Sequence, residues 1–280
     1  TSVSARTSNI GATLTSVREF EWFTNTTKLA YVFEDQSNNR LTASAQQLTL
    51  PRIPEFAAAD IAGIRAGSQT ITIRNQNVFA ITTFDIKDRY IIDGLIRRDA
   101  SSLFGAEERS AIYNRVSAAY RVSEDLTLPG VDEFKLRASY GTAGLRPGFD
   151  AQYEIYSLVG GSPTPVTLGN RNLKPAFSKE TEVGFNVNFL TNFTFEYSYS
   201  DKVTSDQILS APVSAATGYQ NQWINAGTLA GQTHEIAFGA VLVSKGDMFW
   251  RLNVTADRTR QQITELNVAP FLAGPDGTTQ

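Results

Sequence analysis

The chain has 280 residues, of which 41% are hydrophobic, and 25 Lys+Arg against 28 Asp+Glu give a formal net charge of −3. This near-balance argues against a general nucleic-acid binder, which needs a basic excess to displace counterions from phosphates, and the apolar content is too high for a disordered acidic tail. Zero Cys and a single His exclude disulfide scaffolds, thiolate metal sites, cysteine nucleophiles and multi-His zinc sites, so no catalytic residue, metal or cofactor is expected.

The chain opens at Thr1 without Met or a basic and apolar leader, so no signal peptide is expected. No apolar run reaches the roughly 18 residues of a transmembrane helix. A period of two runs through most of the chain, which sets alternate residues on opposite faces of a strand. A weak first strand is expected near Ser4–Leu14. Leu29, Tyr31 and Phe33 mark the next; Glu34–Arg40 reads as a short turn leading to Leu41, Ala43 and Ala45. Thr70–Phe84 and Arg89–Asp99 alternate less cleanly but are rich in β-branched residues. Val116, Ala118 and Tyr120 oppose Arg115, Ser117 and Arg121, and Phe134, Leu136, Ala138 and Tyr140 oppose Lys135, Arg137 and Ser139. The pattern is clearest from Lys179 to Phe189 and from Phe193 to Ser200. Ile236, Phe238, Ala240 and Leu242 come next, and then Met248, Trp250, Leu252, Val254 and Ala256. The total is about eleven strands, with no convincing helix.

The connections alternate in length. Glu34–Arg40, Ile86–Asp88, Ser123–Glu133, Leu190–Asn192 and Ser244–Asp247 are short, whereas Thr49–Ser68, Ser101–Ser110, Gly141–Ser178 and Val203–Thr233 are long. In an up-and-down antiparallel sheet this puts all short turns at one end and all long loops at the other, as in transmembrane β-barrels. A soluble sandwich has no reason to sort its loops so. Aromatic residues near strand ends (Tyr90, Tyr120, Tyr140, Tyr197, Tyr199, Trp250) suit interfacial girdles. The fold expected is therefore all-β: a partial, open, antiparallel up-and-down transmembrane β-barrel. The rival is a soluble carbohydrate-binding β-sandwich whose apolar faces pack on each other.

Four stretches carry a family resemblance. They are Asp88–Gly105, Leu136–Gly144, Gly169-Asn-Arg-Asn-Leu-Lys-Pro-Ala-Phe-Ser-Lys-Glu-Thr-Glu-Val-Gly-Phe185, and Gly218-Tyr-Gln-Asn-Gln-Trp-Ile-Asn-Ala-Gly227. In this order they resemble SusC/RagA-type TonB-dependent outer-membrane transporters. The resemblance implies energised import of oligosaccharides, peptides or similar nutrients across a Gram-negative outer membrane. It implies outer-membrane lipid, a nutrient ligand (glycan or peptide), TonB and a SusD-like lipoprotein lid as partners, and no nucleic acid. Such barrels have about 22 strands around a plug. About eleven strands would supply half of the staves, so residues 1–280 are expected to be an internal portion of the barrel domain, or a truncated gene product, without the plug domain or TonB box.

Within that frame, Phe149, Tyr153, Tyr156, Tyr219, Gln220 and Trp223 lie in the long loops and are the candidate ligand contacts, because aromatics stack on sugars and amides hydrogen-bond them. Glu180, Glu182, Asn186, Glu196, Arg251 and Asn253 fall on the polar faces and are the candidate lumen-facing residues. Glu180, Glu182 and Glu196 also have the makings of a glycosidase carboxylate pair, but no raised pKa or cleft is indicated, and a polar wall is the simpler reading. Arg97, Arg98 and Asp99 read as an exposed strand-end ion cluster, and His234 as a solvated or lumenal His. Asp35-Gln-Ser-Asn-Asn39 lacks the glycine and bidentate Glu of a calcium loop and reads as a polar hairpin turn. Gly160-Gly161-Ser162 reads as loop flexibility, not a phosphate loop.

Overall fold

The computed structural model describes residues 1–46, 55–56, 59–159 and 161–268. Ten strands form one sheet, every neighbour antiparallel. In order across it they are β1 (Ser2–Glu19), β2 (Thr24–Ala45), β3 (Ile64–Ile86), β4 (Tyr90–Ser101), β5 (Ser110–Arg121), β6 (Val131–Leu145), β9 (Ala176–Phe189), β10 (Phe193–Ser205), β13 (Thr228–Lys245) and β14 (Met248–Glu265). The sheet is open, with β1 and β14 at its edges. Four shorter strands, β7 (Ile155–Val159), β8 (Ser162–Leu168), β11 (Ile208–Pro212) and β12 (Asn221–Asn225), make a second sheet in the order β11-β12-β8-β7.

The alternation of short and long connections holds, but its first member moves. Glu34–Arg40 is not a turn: β2 runs unbroken through it, and the first hairpin closes at Phe20–Phe23, where Phe20 N donates to Phe23 O at 2.9 Å. Leu29 and Leu41 therefore share one strand instead of pairing across two. The polar Asp35–Asn39 run stays extended because each residue pairs on both sides, Asp35 with Ser8 on β1 and with Arg74 on β3. Arg74 Nε donates to Asp35 Oδ2 at 2.8 Å across that ladder. Elsewhere the tight turns sit where expected: Lys87 and Asp88, and Leu190 and Thr191, adopt positive φ to reverse the chain within three residues.

Register resolves the faces. One row reads Leu136, Phe185, Tyr197, Ile236 and Ala256, and the row beside it reads Arg137, Gly184, Ser198, Glu235 and Asp257. Rings on the apolar face touch: Phe185 lies 5.9 Å from Phe195 and 5.8 Å from Tyr197, and Phe193 lies 6.1 Å from Phe238. That face has no core beneath it. Trp250 is 58% exposed, Val254 50% and Val183 46%, and Ile10, Leu29, Ile96, Val116 and Leu252 are exposed likewise. The noisier alternation of β3 and β4 has a cause: Phe79, Ile81, Ile91 and Leu95 lie on the polar face, between Asn75, Thr83, Asp93 and Arg97. A bulge between Val241 and Val243 swings Leu242 out of the pattern expected for β13.

The dry packing is at the long-loop end. Phe104 and Leu173 are 1% and 0% exposed, where Gly105 N donates to Leu173 O at 2.9 Å. A Cβ on Gly105 would stand 2.3 Å from Arg171 O, so only glycine allows this approach. Buried Asn75 fixes three strands here: its Nδ2 donates to Glu34 Oε2 at 2.9 Å, and its Oδ1 accepts from Ser101 Oγ at 2.7 Å.

Candidate functional site

Two regions hold the candidate residues: the polar face of the large sheet and the sheet built from the long loops.

On the polar face the centre is Arg137 of β6. Its Nη2 donates to Glu196 Oε1 at 2.6 Å and to Ser198 Oγ at 2.5 Å, and its Nη1 lies 3.6 Å from Glu182 Oε1. Glu196 and Ser198 belong to β10, so the side chain passes over all of β9. It does so above Gly184, where any Cβ would stand 2.9 Å from Arg137 Nε. Around this junction Lys202 Nζ lies 3.5 Å from Glu180 Oε2, Arg115 pairs with Asp93, and Asn188 Nδ2 donates to Glu133 Oε2 at 3.1 Å. Glu180, Glu182, Asn186 and Glu196 thus share one face, and Glu182 and Glu196 are held by a common guanidinium. Arg251 and Asn253 lie on the same face of β14, exposed and opposite Val241 and Gly239. Glu180, Glu182 and Glu196 are thus each matched to a Lys or Arg side chain.

Two expectations about charged residues change. His234 lies on the apolar face, not the polar one: it sits opposite Tyr199 and Arg258, and its Nδ1 is 2.8 Å from Tyr197 Oη. The strand containing it begins at Thr228, so His234 is not at a strand start. Of the trio Arg97, Arg98 and Asp99, Asp99 is buried and pairs with Arg97 on the polar face. Arg98 points to the other face and donates to Ser110 Oγ at 3.2 Å. The cluster is split across the sheet.

The loop segments are not irregular. β12 pairs in parallel with β8 through Asn221–Thr167 and Gln222–Leu168, which joins the two longest connections. Side-chain amides clip them together. Asn225 accepts from Lys174 N at 2.8 Å and donates to Lys174 O at 2.9 Å, while Asn170 Nδ2 donates to Trp223 O at 2.9 Å. Gln222 Nε2 donates to Gly169 O at 3.0 Å. These amides sit in the Gly169–Phe185 and Gly218–Gly227 stretches and tie β12 of the second sheet to the segment that leads into β9. Nothing in periodicity marks them, because their partners are about 50 residues away.

Of the six loop candidates, four form two separate pairs. Phe149 and Tyr153 rings lie 5.5 Å apart, and Tyr156 and Tyr219 rings 6.1 Å apart. Tyr156 Oη donates to Glu154 Oε2 at 2.9 Å and lies 2.8 Å from Tyr219 Oη, which donates to it in turn. The bonds to Tyr219 and then Glu154 hold the Tyr156 phenol well above its ordinary titration range. Trp223 lies on β12 opposite Ser210 and joins neither aromatic pair, and Gln220 uses its backbone N–H on Val166 O at 3.0 Å, leaving its side chain exposed. Gly161, at φ 85°, makes the turn between β7 and β8, whereas Gly160 lies outside the described residues. Among the described residues no group of three or more His, Asp or Glu is placed to hold a metal ion.

An open antiparallel sheet, apolar on one face and ionic on the other, with all long connections at one end, is the wall of a barrel. Residues 2–266 match the family model described as TonB dependent receptor-like, beta-barrel. The chain belongs to this family. TonB-dependent receptor P26 of Formosa agariphila is 25% identical over 89% of the chain and 28% of its own length. TonB-dependent receptor P39 of the same organism is 24% identical over 71% of the chain and 20% of its own length. The chain thus spans between a fifth and three tenths of these curated relatives. Among solved structures, the RagAB peptide transporter superposes with a TM-score of 0.83 at 16% identity, over 95% of the chain and 31% of that one. The outer membrane transporter YddB from Escherichia coli gives 0.61 at 13%, over 92% of the chain and 34% of its own. The SusC/RagA resemblance of the strand motifs agrees with these matches, and the family is one of outer-membrane receptors and transporters, not enzymes.

Proposed function

We propose that this chain is part of the wall of a SusC/RagA-type importer in a Gram-negative outer membrane, taking up oligosaccharides or peptides with TonB-supplied energy and a SusD-like lipoprotein lid. The observation that carries the reading is the bare apolar face. About 25 Å of hydrocarbon explains why Trp250, Val254 and Val183 face nothing in the protein, and the opposite face, with Arg137 at its centre, lines a wet lumen. Cargo meets the outer sheet first, where the exposed rings of Tyr153 and Tyr156 offer stacking surfaces, and then passes Glu180, Glu182, Asn186, Glu196, Arg251 and Asn253. No bond is made or broken. The better superposition on RagAB than on YddB favours the SusC/RagA branch. A β-sandwich is disfavoured because its second sheet would have covered the apolar face, whereas here the second sheet is assembled from the loop segments.

The test is depth-dependent quenching of tryptophan fluorescence by lipids brominated on the acyl chain, in full-length protein reconstituted into vesicles. Variants retaining only Trp250 should be strongly quenched, and variants retaining only Trp223 should not. Equal and weak quenching of both would refute membrane embedding.

A further inference from the structure

At the long-loop end of three adjacent strands the apolar face ends in a basic patch. On β14 every position of that face from Met248 through Trp250, Leu252, Val254 and Ala256 is apolar, and the next two are Arg258 and Arg260. Met248 to Arg258 spans about 33 Å of strand at ~3.3 Å per residue. At the tilt of about 40° found in such barrels this is a height of roughly 25 Å, the full apolar band. The guanidiniums therefore leave the strand where hydrocarbon gives way to headgroups.

Their surroundings are built for an anion. Register sets Arg258 opposite His234, and His234 opposite Tyr199; the two rings are 4.9 Å apart and Tyr197 Oη holds the imidazole. On the side of β13 neither Arg258 nor Arg260, on the edge strand β14, has an ion pair among the described residues, where the pairs are made by Arg74, Arg89, Arg97, Arg115, Arg121, Arg137, Lys174 and Lys202. Asp201, the nearby carboxylate of this face, accepts from Gln232 at 3.2 Å, and Glu235 and Asp257 lie on the other face. Alternate positions of a strand put the two Cα atoms about 7 Å apart on one face, within reach of two phosphates of one headgroup or of a single phosphate between the two side chains. Guanidinium is the cation best matched to phosphate oxygens. The apolar stripe continues directly below, which a free phosphate would leave unused and an acyl chain would cover.

We propose that Arg258, Arg260 and His234 seat the phosphorylated headgroup of an outer-leaflet lipid whose acyl chains lie on Ala256 and Val254. This rests on the membrane-embedded reading, whose own failure would show separately in the Trp250 quenching. The experiment is native mass spectrometry of the full-length protein in detergent with three probes: diphosphorylated lipid A, the same lipid dephosphorylated, and phosphatidylcholine. The wild type should retain the diphosphorylated lipid preferentially, and R258A/R260A should lose about tenfold in its retention. Lys135→Ala, which removes a cation from the polar face, should change nothing. Equal retention of the phosphorylated and dephosphorylated lipids, retention by R258A/R260A within about twofold of wild type, or an equal loss in Lys135→Ala would each overturn the proposal. Should R258A/R260A fail to fold, R258K/R260K takes its place. Retention weakened by the loss of bidentate geometry and still sensitive to salt supports the seat; salt-independent retention overturns it.

Discussion

Gly184 is where the polar face is most sensitive to a single methyl group. Built on its backbone, a Cβ would lie 2.6 Å from Tyr197 O and 2.9 Å from Arg137 Nε. The first atom is backbone of the neighbouring strand and has nowhere to go, so the β9–β10 ladder must open locally. The second belongs to a side chain that would be pushed off Glu196 and Ser198. On an unobstructed strand Ala is favoured over Gly by about 0.5–1 kcal/mol; overpacking of this kind costs about 1–3 kcal/mol. The ion pair adds little, since Arg137 and Glu196 are 32% and 44% exposed. Gly184→Ala should therefore destabilise the full-length protein by roughly 1–3 kcal/mol, measured by urea unfolding from micelles followed by tryptophan fluorescence. Gly141→Ala is the reference: it lies on the same face, and its nearest contact would be Arg115 Cγ at 3.6 Å, so it should be neutral or slightly stabilising. In an Arg137→Ala background the cost of Gly184→Ala should shrink but persist, because Tyr197 O remains. If Gly184→Ala proved as benign as Gly141→Ala, the passage of Arg137 over β9 would be wrong.

Two further outcomes concern the loop end. Phe104→Ala empties a fully buried site against the 170–176 segment and should cost about 3–5 kcal/mol, with limited proteolysis cutting the outer sheet while the large sheet stays intact; unchanged protease resistance would contradict this packing. The Tyr156 phenol is stabilised in its neutral form, so its contribution is present below the ordinary tyrosine pKa of 10.0 and is lost as pH rises beyond it. Tyrosinate absorbance should accordingly show a late-titrating phenol that Tyr156→Phe removes and Glu154→Gln shifts downward; a titration indifferent to both variants would break the Tyr156–Tyr219–Glu154 chain.

The barrel wall was legible because alternation reports two media on two faces whatever those media are. Lys179–Phe189 and Phe193–Ser200 read correctly for that reason. Asp35–Asn39 misled because a strand wet on both faces has no apolar residue to betray it; only the ladder to Ser8 and Arg74 keeps it extended. The aromatic candidates were named without their arrangement, since Tyr156 and Tyr219 meet across 63 positions of sequence and no local pattern encodes such a meeting. The amides of Asn170, Gln222 and Asn225 stood inside the motifs that carried the resemblance, yet their work as clips between loops became visible only with the backbone in place. His234 is exposed but not lumenal, because its register partners are Tyr199 and Arg258, whereas its neighbour Glu235 falls on the other face.

The three leading strands also have an architectural consequence. β4 ends at Ser101 opposite Asn75, whereas β3 continues on to Ile64, paired throughout with β2. Some ten residues, or about 33 Å, of hydrogen-bonded ribbon therefore extend beyond the end of β4 with no strand of the described residues on that side. Such a mast does not sag as a loop would. In the importer proposed above, this ribbon fences one flank of the mouth, so that cargo approaching there meets a stiff edge.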